Sequence, residues 1–521
     1  TMKKILSILI IVFIYSCGTS DQGSGLKDIT ITTKSKEARD LYVEALDLYE
    51  LRRQNSVEKR RENLNKAITL DPDFLLAKAT LYSDLGTETN NSILRDVYER
   101  REEVSEMEAG IIEFLYNWRT NYDPEVASYN ITMLADDNPD IPRLRFWSGL
   151  IKSYNPGEIY EAIDDLEVTL ELDPNHFGAK LLLIAKHLQF GVYGVMLPTG
   201  EIDYDYLKTM IDDIEKNNSD NSYTHVVVGN YYRTMSDFDK AIESYARLEN
   251  YQDQEASNLY TSNHYRALSN TFKGDYAAAE SFFRKNIELG NQFNAYFYFP
   301  QMHLFNNNFD GAIEALNEYE DNLINLELPA QQELNSLVDI QRIKFLCYAH
   351  NQQENESLRQ ITLTKEARVN AINLRKNRMT EDEYDEGIKN ANYLESTFKI
   401  WHDILFGKYD DAKSKLTRYM EESKKINRPN PMHNYLVLNG LVELNLGNPE
   451  KALEFFNQTN RFNGGFFGIT LDDDYYDYFK GLAHIASGNI DQGNELFELI
   501  ASKNFYGIQS ALVRNLAKDR L

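Results

Sequence analysis

The residues that could catalyse a reaction or bind a metal are scattered along this 521-residue chain. Its nine histidines include no His-x₃-His or HExxH spacing, the arrangement that puts two imidazoles on one helix face to hold a metal ion. There is no Walker A loop, and no G-x-G-x-x-G follows a strand. We therefore expect no metal, no cofactor and no enzymatic activity. A hydrolase whose site is assembled from distant residues is the enzymatic alternative.

The two cysteines, Cys17 and Cys347, are too few for a disulfide scaffold or a thiolate zinc site. Cys347 lies in an apolar helical stretch, so we expect a buried structural thiol. Cys17 follows Lys3, Lys4 and an apolar run over residues 5–14. Ten helical residues span roughly 15 Å, about half of a bilayer core, so the run predicts a signal peptide and not a membrane span.

The end of this run, Ile14-Tyr15-Ser16-Cys17-Gly18, resembles the lipobox of bacterial lipoproteins, although Tyr15 is bulkier than the usual residue there. The resemblance implies a signal peptide over 1–16, cleavage before Cys17 and lipid on the Cys17 sulfur and amine. A secretory signal with a chance cysteine is the alternative. Residues 17–35 are small and polar and predict a flexible tether. The lipoprotein resemblance also implies a location: by the enterobacterial sorting rule, Gly and not Asp at residue 18 favours the outer membrane of a Gram-negative bacterium.

Composition restricts the partners. The chain has 55 Lys and Arg against 81 Asp and Glu, a formal net charge of −26. So acidic a chain lacks the basic stripe that nucleic acid binding requires. Its hydrophobic fraction of 42% fits a soluble body with a real core. We expect a basic or neutral partner, another envelope protein or peptide, whose association is assisted electrostatically.

From about residue 36 the chain repeats one pattern of two amphipathic helices joined by a turn. The turns carry variants of one pattern, in which Gly or Asn is followed by Asp or Asn, often by an aromatic residue, and then by a small residue. Gly or Asn accepts a left-handed backbone, and the Asp or Asn that follows caps the next helix. Successive small residues are 33 to 41 positions apart, as in Ala241, Ala279 and Ala312, and later Ala412, Ala452 and Gly493.

A period near 34 with this pattern resembles the tetratricopeptide repeat (TPR) family. The best copy contains Val228, Gly229, Tyr232, Phe238, Ala241, Tyr245 and Leu248. The resemblance covers most of residues 36–503 and implies an all-α fold, an α-solenoid of antiparallel helix pairs forming a TPR-like superhelix. It also implies a groove built from the first helix of each pair. In the best copy the groove positions are Tyr223, Asn230 and Arg233.

The rhythm of the repeats suggests the domain organisation. We expect an N-terminal TPR-like array over 36–350 and an irregular, charged helical insert over 351–390. A second array with a capping helix is expected over 391–521. The insert is a candidate joint between the two arrays. Thr380 and Glu383 within it predict a capping box.

We expect the protein to be a non-enzymatic, membrane-anchored scaffold for protein–protein interaction in the cell envelope. The alternative is a SusD-like glycan-binding lipoprotein of the outer membrane, which also contains TPR helices. Two aromatic clusters, residues 294–303 and 472–479, could form a ligand platform, but packing inside the helix pairs is the favoured interpretation. A basic group is expected to be a solvated face, with a lipid or partner contact as the alternative. It consists of Arg52, Arg53, Lys59, Arg60 and Arg61.

Overall fold

The computed structural model describes most of the chain. The described residues are 26–50, 56–83, 88–119, 124–154, 158–188, 204–251, 255–290, 295–426, 432–459, 473–504 and 507–521. They form 25 α-helices and contain no strand. The predicted all-α fold class is therefore confirmed.

Contacts divide the chain into two compact units, and the boundary falls between Leu183 and Ile184, inside helix α9 (Phe177–His187). The first unit contains α1 (Lys36–Glu50), α2 (Ser56–Leu70), α3 (Leu75–Ser83), α4 (Glu88–Glu99), α5 (Glu106–Arg119), α6 (Pro124–Asp137), α7 (Pro142–Lys152) and α8 (Ile159–Leu172).

The second unit contains the remaining helices. The earlier ones are α10 (Tyr204–Asn217), α11 (Ser222–Thr234), α12 (Phe238–Ala246), α13 (Glu255–Lys273), α14 (Tyr276–Glu288), α15 (Ala295–Phe305), α16 (Phe309–Asn322) and α17 (Ala330–His350). The later ones are α18 (Glu354–Leu374), α19 (Glu381–Leu405), α20 (Tyr409–Ser423), α21 (His433–Asn445), α22 (Pro449–Phe456), α23 (Asp473–Ala486), α24 (Ile490–Ser502) and α25 (Ile508–Lys518).

Consecutive helices pack against one another in each unit, as a stack of helix pairs requires. The predicted side-chain caps are present at three of these turns, whereas Asn448 before α22 and Asn489 before α24 make no capping hydrogen bond. The side chains of Asp237, Asp275 and Asn308 accept hydrogen bonds from the backbone N–H three residues later and so cap α12, α14 and α16. Gly274 before α14 has a φ of +89°, a left-handed conformation that costs glycine nothing.

Close contact within a pair depends on small residues. A Cβ built on Gly229 in α11 would lie 2.3 Å from Cε1 of Tyr245 in α12. Gly440 in α21 has the same relationship to Phe456 in α22, again at 2.3 Å. Each aromatic ring therefore occupies the place of the missing side chain on the facing helix.

The last helix returns to earlier helices of its own unit. Helix α25 packs against α23 and α24, as a capping helix would, and also against α15. Asn515 of α25 donates hydrogen bonds to the Tyr276 hydroxyl and to the carbonyl of Phe305, 210 residues earlier. The guanidinium of Arg514 lies 5.3 Å from the centre of the Phe272 ring. The end of the second unit thus packs back against helices of its first half.

The organisation differs from the expectation in two places. Residues 26–35 of the expected tether contact the first unit: Ile29 is buried, and Thr32 donates its backbone N–H to Glu108 at 2.6 Å. The expected insert at 351–390 is helical and has the predicted Thr380–Glu383 capping box. Its helices pack between α17 and α20 inside the second unit, because each buries an apolar stripe against its neighbours, so the unit boundary lies elsewhere.

Candidate partner-binding pocket

The residues predicted to line a groove lie on α11 and already contact their own chain. Tyr223 and Asn230 are half-buried, and Asn230 accepts a hydrogen bond from the Tyr245 hydroxyl at 2.8 Å. Arg233 is only 2% exposed, and its carbonyl accepts a hydrogen bond from Asn504. A role for these three residues in partner binding stays a prediction, and the Arg233 side chain is buried, with its guanidinium 5.4 Å from the centre of the Tyr265 ring.

Other residues named from the sequence have structural roles or lie outside the described ranges. Cys347 is completely buried, and burial raises the pKa of its thiol well above the ordinary value, so it is an unreactive core residue. Cys17 lies outside the described residues. Within the described chain, no group of three or more His, Cys, Asp or Glu side chains could hold a metal ion. No helix in these ranges is both long and apolar enough to span a bilayer.

The aromatic clusters pack inside the second unit, as the favoured interpretation held. Tyr296 stacks on Tyr319 with ring centres 5.3 Å apart and nearly parallel planes. Tyr475 accepts a hydrogen bond from the Trp401 indole at 3.1 Å, and both side chains are buried. Asn294 and Asp472, at the start of the two clusters, lie outside the described residues.

An apolar pocket opens among the helices of the first unit, with a cavity of about 70 Å³. Its walls come mainly from α1, α3, α5 and α7, the first helices of four successive pairs. Two of the three tryptophans of the chain line it, Trp118 from α5 and Trp147 from α7. Phe114, Leu115 and Leu150 add to the apolar surface. The position matches the place where a helix-pair array presents its binding surface.

Two nitrogen-bearing side chains add polar groups to this otherwise apolar pocket. Trp147 is 7% exposed, and its indole N–H has no hydrogen-bond acceptor among the described residues. Arg60 from α2 is also 7% exposed and lies over the Tyr49 ring, 5.0 Å from its centre. A buried N–H without an acceptor costs free energy, so an occupant that offers an oxygen would relieve that cost.

An ion network ties two of the walls together. Arg143 of α7 donates to Glu50 of α1 at 2.6 Å, to Asp47 at 2.8 Å and to Asp28 at 2.9 Å. Burial disfavours the charge of Arg143, but these carboxylates outweigh burial and raise its pKa above the ordinary value. Because the network fixes α1 against α7, the pocket between them is formed before a ligand arrives.

This pocket was not predicted from the sequence, and the environment predicted for one of its residues was wrong. Arg60 was expected on a solvated face. In the structure it is buried against Tyr49, because the face of α2 that carries Arg60 packs against α1. The signal available in the sequence was the position of Trp118 and Trp147. Both are large aromatic residues on first helices, where TPR-like arrays form their binding surface.

No protein-family model and no curated protein matches the chain. Solved structures with similar helix arrangements include the Cut9–Hcn1 hetero-tetramer of the APC/C, which is 14% identical, with 90% of this chain and 78% of that chain covered and a TM-score of 0.36. A human IFIT1 dimer with PPP-AAAA is 15% identical over 82% of this chain and 95% of that chain, with a TM-score of 0.40. The P58(IPK) TPR domain is 13% identical over 80% and 98%, with a TM-score of 0.21.

These superpositions are too loose to carry any argument about function. What defines the fold is the chain's own geometry: capped turns, glycine-to-aromatic contacts and consecutive packing of helix pairs. In its fold the protein is an all-α array of TPR-like helix pairs.

Proposed function

We propose that this protein is a non-enzymatic scaffold that binds a segment of another envelope protein through the apolar pocket of its first unit. The observation that carries the proposal is the convergence of Trp118 and Trp147 on a cavity walled by the first helices of four pairs. Buried aromatic side chains that surround a small pocket are typical of binding hot spots.

The chemistry of the pocket defines the segment that would fit. A cavity of about 70 Å³ holds a single apolar side chain and not a whole ligand, so the partner presents one aliphatic or aromatic anchor. A carbonyl or carboxylate oxygen beside that anchor would accept from Trp147 or pair with Arg60. The remainder of the partner surface is basic or neutral, because the chain carries a net charge of −26.

The proposed location is the periplasmic or outer surface of the outer membrane, with lipid on Cys17 as the anchor. The support is the sequence around Cys17, a basic start and an apolar run that ends at the cysteine. Labelled palmitate should enter the wild-type protein and be absent from Cys17→Ser. Equal incorporation into both proteins would refute the anchor.

The experiment for the pocket uses one blocking variant and one matched control. Leu115→Trp replaces an aliphatic side chain of the pocket by a bulky indole ring. Tyr129→Ala changes a side chain on α6 that is 65% exposed and outside the pocket. Each protein is captured from native envelopes after cross-linking, and partners are quantified by mass spectrometry. We expect one stoichiometric protein that binds wild type and Tyr129→Ala, is lost with Leu115→Trp, and cross-links through a peptide with an apolar anchor.

Two outcomes would contradict the proposal. Retention of the partner by Leu115→Trp, at unchanged melting temperature, would exclude the pocket as the binding site. The other is binding of oligosaccharides in place of protein. In a Trp401→Phe background only Trp118 and Trp147 report, so a fluorescence change on adding oligosaccharides would favour the glycan-binding alternative.

A further inference from the structure

A second, polar cavity lies in the other unit, between the long helices α17, α18 and α19. Its volume is about 390 Å³, within the range of cavities that take small molecules. Gln331, Asn335 and Asp339 project from α17 at four-residue intervals and so share one face. Arg368 and Arg375 come from α18 and the residue after it, and Asn390 from α19.

Two residues that line this cavity each have a buried amide oxygen with no donor among the described residues. These oxygens are Oε1 of Gln331 and Oδ1 of Asn390. The amide nitrogens of the same side chains are occupied: Gln331 donates to Asn335 at 3.1 Å and Asn390 donates to Glu386 at 3.3 Å. The amide nitrogens are therefore hydrogen-bonded, whereas the two oxygens lack the N–H donors that buried acceptors normally have.

The cavity also presents charges of both signs. Asp339 forms an ion pair with Arg342, whose Nη2 lies 3.0 Å from Oδ1 of the carboxylate. Burial raises the pKa of Asp339 against the opposing charges of Arg342 and Arg368, so a further cation would stabilise its charged form. Arg368 and Arg375 supply guanidinium groups that suit a carboxylate. A simple anion would be repelled by Asp339, and a simple cation would be repelled by the two arginines.

We propose that this cavity binds a short peptide with free ends. The peptide ammonium would donate to Asp339, Gln331 and Asn390, and its carboxylate would pair with Arg368 and Arg375. A zwitterion is the ligand class that satisfies the unpaired oxygens and both signs of charge at once. The site is separate from the apolar pocket of the first unit and does not depend on the function proposed for that pocket.

The test is isothermal titration calorimetry of the purified protein with alanylalanine. We expect saturable binding of alanylalanine and at least tenfold weaker binding of N-acetyl-alanylalanine and of alanylalanine amide, which each lack one charge. Asp339→Asn should weaken the zwitterion at least tenfold while hardly affecting the N-acetylated peptide, since that peptide has no ammonium to lose. The double substitution Arg368→Gln and Arg375→Gln should weaken binding of alanylalanine at least tenfold while hardly affecting alanylalanine amide, since the amide has no carboxylate to lose.

Arg359→Gln is the matched control, because Arg359 is exposed on α18 and does not line the cavity. It should bind alanylalanine like wild type. Circular dichroism of Asp339→Asn checks that the helices persist, and if that variant fails to fold, the two ligand analogues still test the proposal on wild type. Absence of binding, or equal affinity for the three peptides, would overturn it.

Discussion

The side-chain amide of Asn504 donates a hydrogen bond to the backbone carbonyl of Arg233 at 3.0 Å, although the two residues are 271 positions apart. The same amide donates to Ser236 Oγ at 2.9 Å, and its oxygen accepts from Arg514 at 2.7 Å. Asn504 is 4% exposed. Through this one side chain, the end of the chain holds the C-terminal turn of α11 and closes the second unit.

Asn504→Ala should therefore destabilise the second unit. The substitution leaves the buried carbonyl of Arg233 and the Arg514 guanidinium with fewer partners, which costs about 1–3 kcal/mol. Urea unfolding followed by fluorescence in a Trp118→Phe, Trp147→Phe background isolates Trp401, the tryptophan of the second unit.

Asn370→Ala is the control, since Asn370 is exposed within α18 and alanine favours a helix. This variant should be as stable as wild type or slightly more stable. An Asn504→Ala protein that unfolds at the wild-type urea concentration would show that the closing contacts do not contribute to stability.

Local features were predictable because their causes lie within a few residues. Gly274 and Asp275 predict a left-handed turn and a helix cap, and the structure has both, with Asp275 accepting from the Ala278 N–H at 3.1 Å. The closing contact was not predictable from pattern. It depends on the rotation accumulated over the helix pairs from α11 to α24, and no local signal in Arg233 or Asn504 encodes that sum.

The candidate sites show the same division. Trp118 and Trp147 could be placed on helices from the sequence, but their convergence on one cavity depends on how α5 and α7 pack with α1 and α3. Arg60 shows what the sequence pattern cannot predict. Its charged neighbours in the sequence favour a solvent-exposed position, but in the fold it is buried over the Tyr49 ring.

Gly440→Ala should destabilise the α21–α22 pair. The new Cβ would lie 2.3 Å from Cε1 of Phe456, whose ring is fully buried, so the helices must separate at a cost of about 1–3 kcal/mol. Thermal unfolding measures the loss. Gly387→Ala is the control, because its nearest neighbour would be Ile372 Cγ2 at 3.3 Å.

A smaller residue opposite the glycine should relieve the strain. Combined with Gly440→Ala, Phe456→Leu should cost less than the sum of the two single substitutions, since each accommodates the other. Strict additivity would mean that the ring and the glycine do not share the space that the structure assigns to them.

The second unit should lose stability as the pH falls from 6.5. Burial, with a smaller contribution from Arg233, lowers the pKa of His264 to about 3, from 6.5 in the unfolded chain. Between these values the unfolded state binds a proton at His264 that the folded state excludes, so this residue alone lowers stability by up to about 1.4 kcal/mol per pH unit.

His264→Gln should flatten this dependence, as seen in urea midpoints measured at pH 7, 6 and 5 with the Trp401 reporter. His484→Gln is the comparison, because His484 is only half-buried and should change the slope less. If His264→Gln retains the wild-type slope, the acid sensitivity has another source, and His350, whose pKa burial lowers to about 4, is the next to test.

The ion pair between Lys503 and Asp474 offers the sharpest test of the closing region. Both side chains are buried, and Ser510 of α25 donates to the second oxygen of Asp474 at 2.6 Å. Lys503→Met strands a buried carboxylate and should cost about 3–5 kcal/mol, whereas the double substitution with Asp474→Leu removes both charges and should recover most of that loss. Urea unfolding of the four proteins in the cycle gives the coupling energy. A double variant no more stable than Lys503→Met would mean that the hydrogen bond from Ser510 of α25 to Asp474 contributes more to stability than the ion pair does.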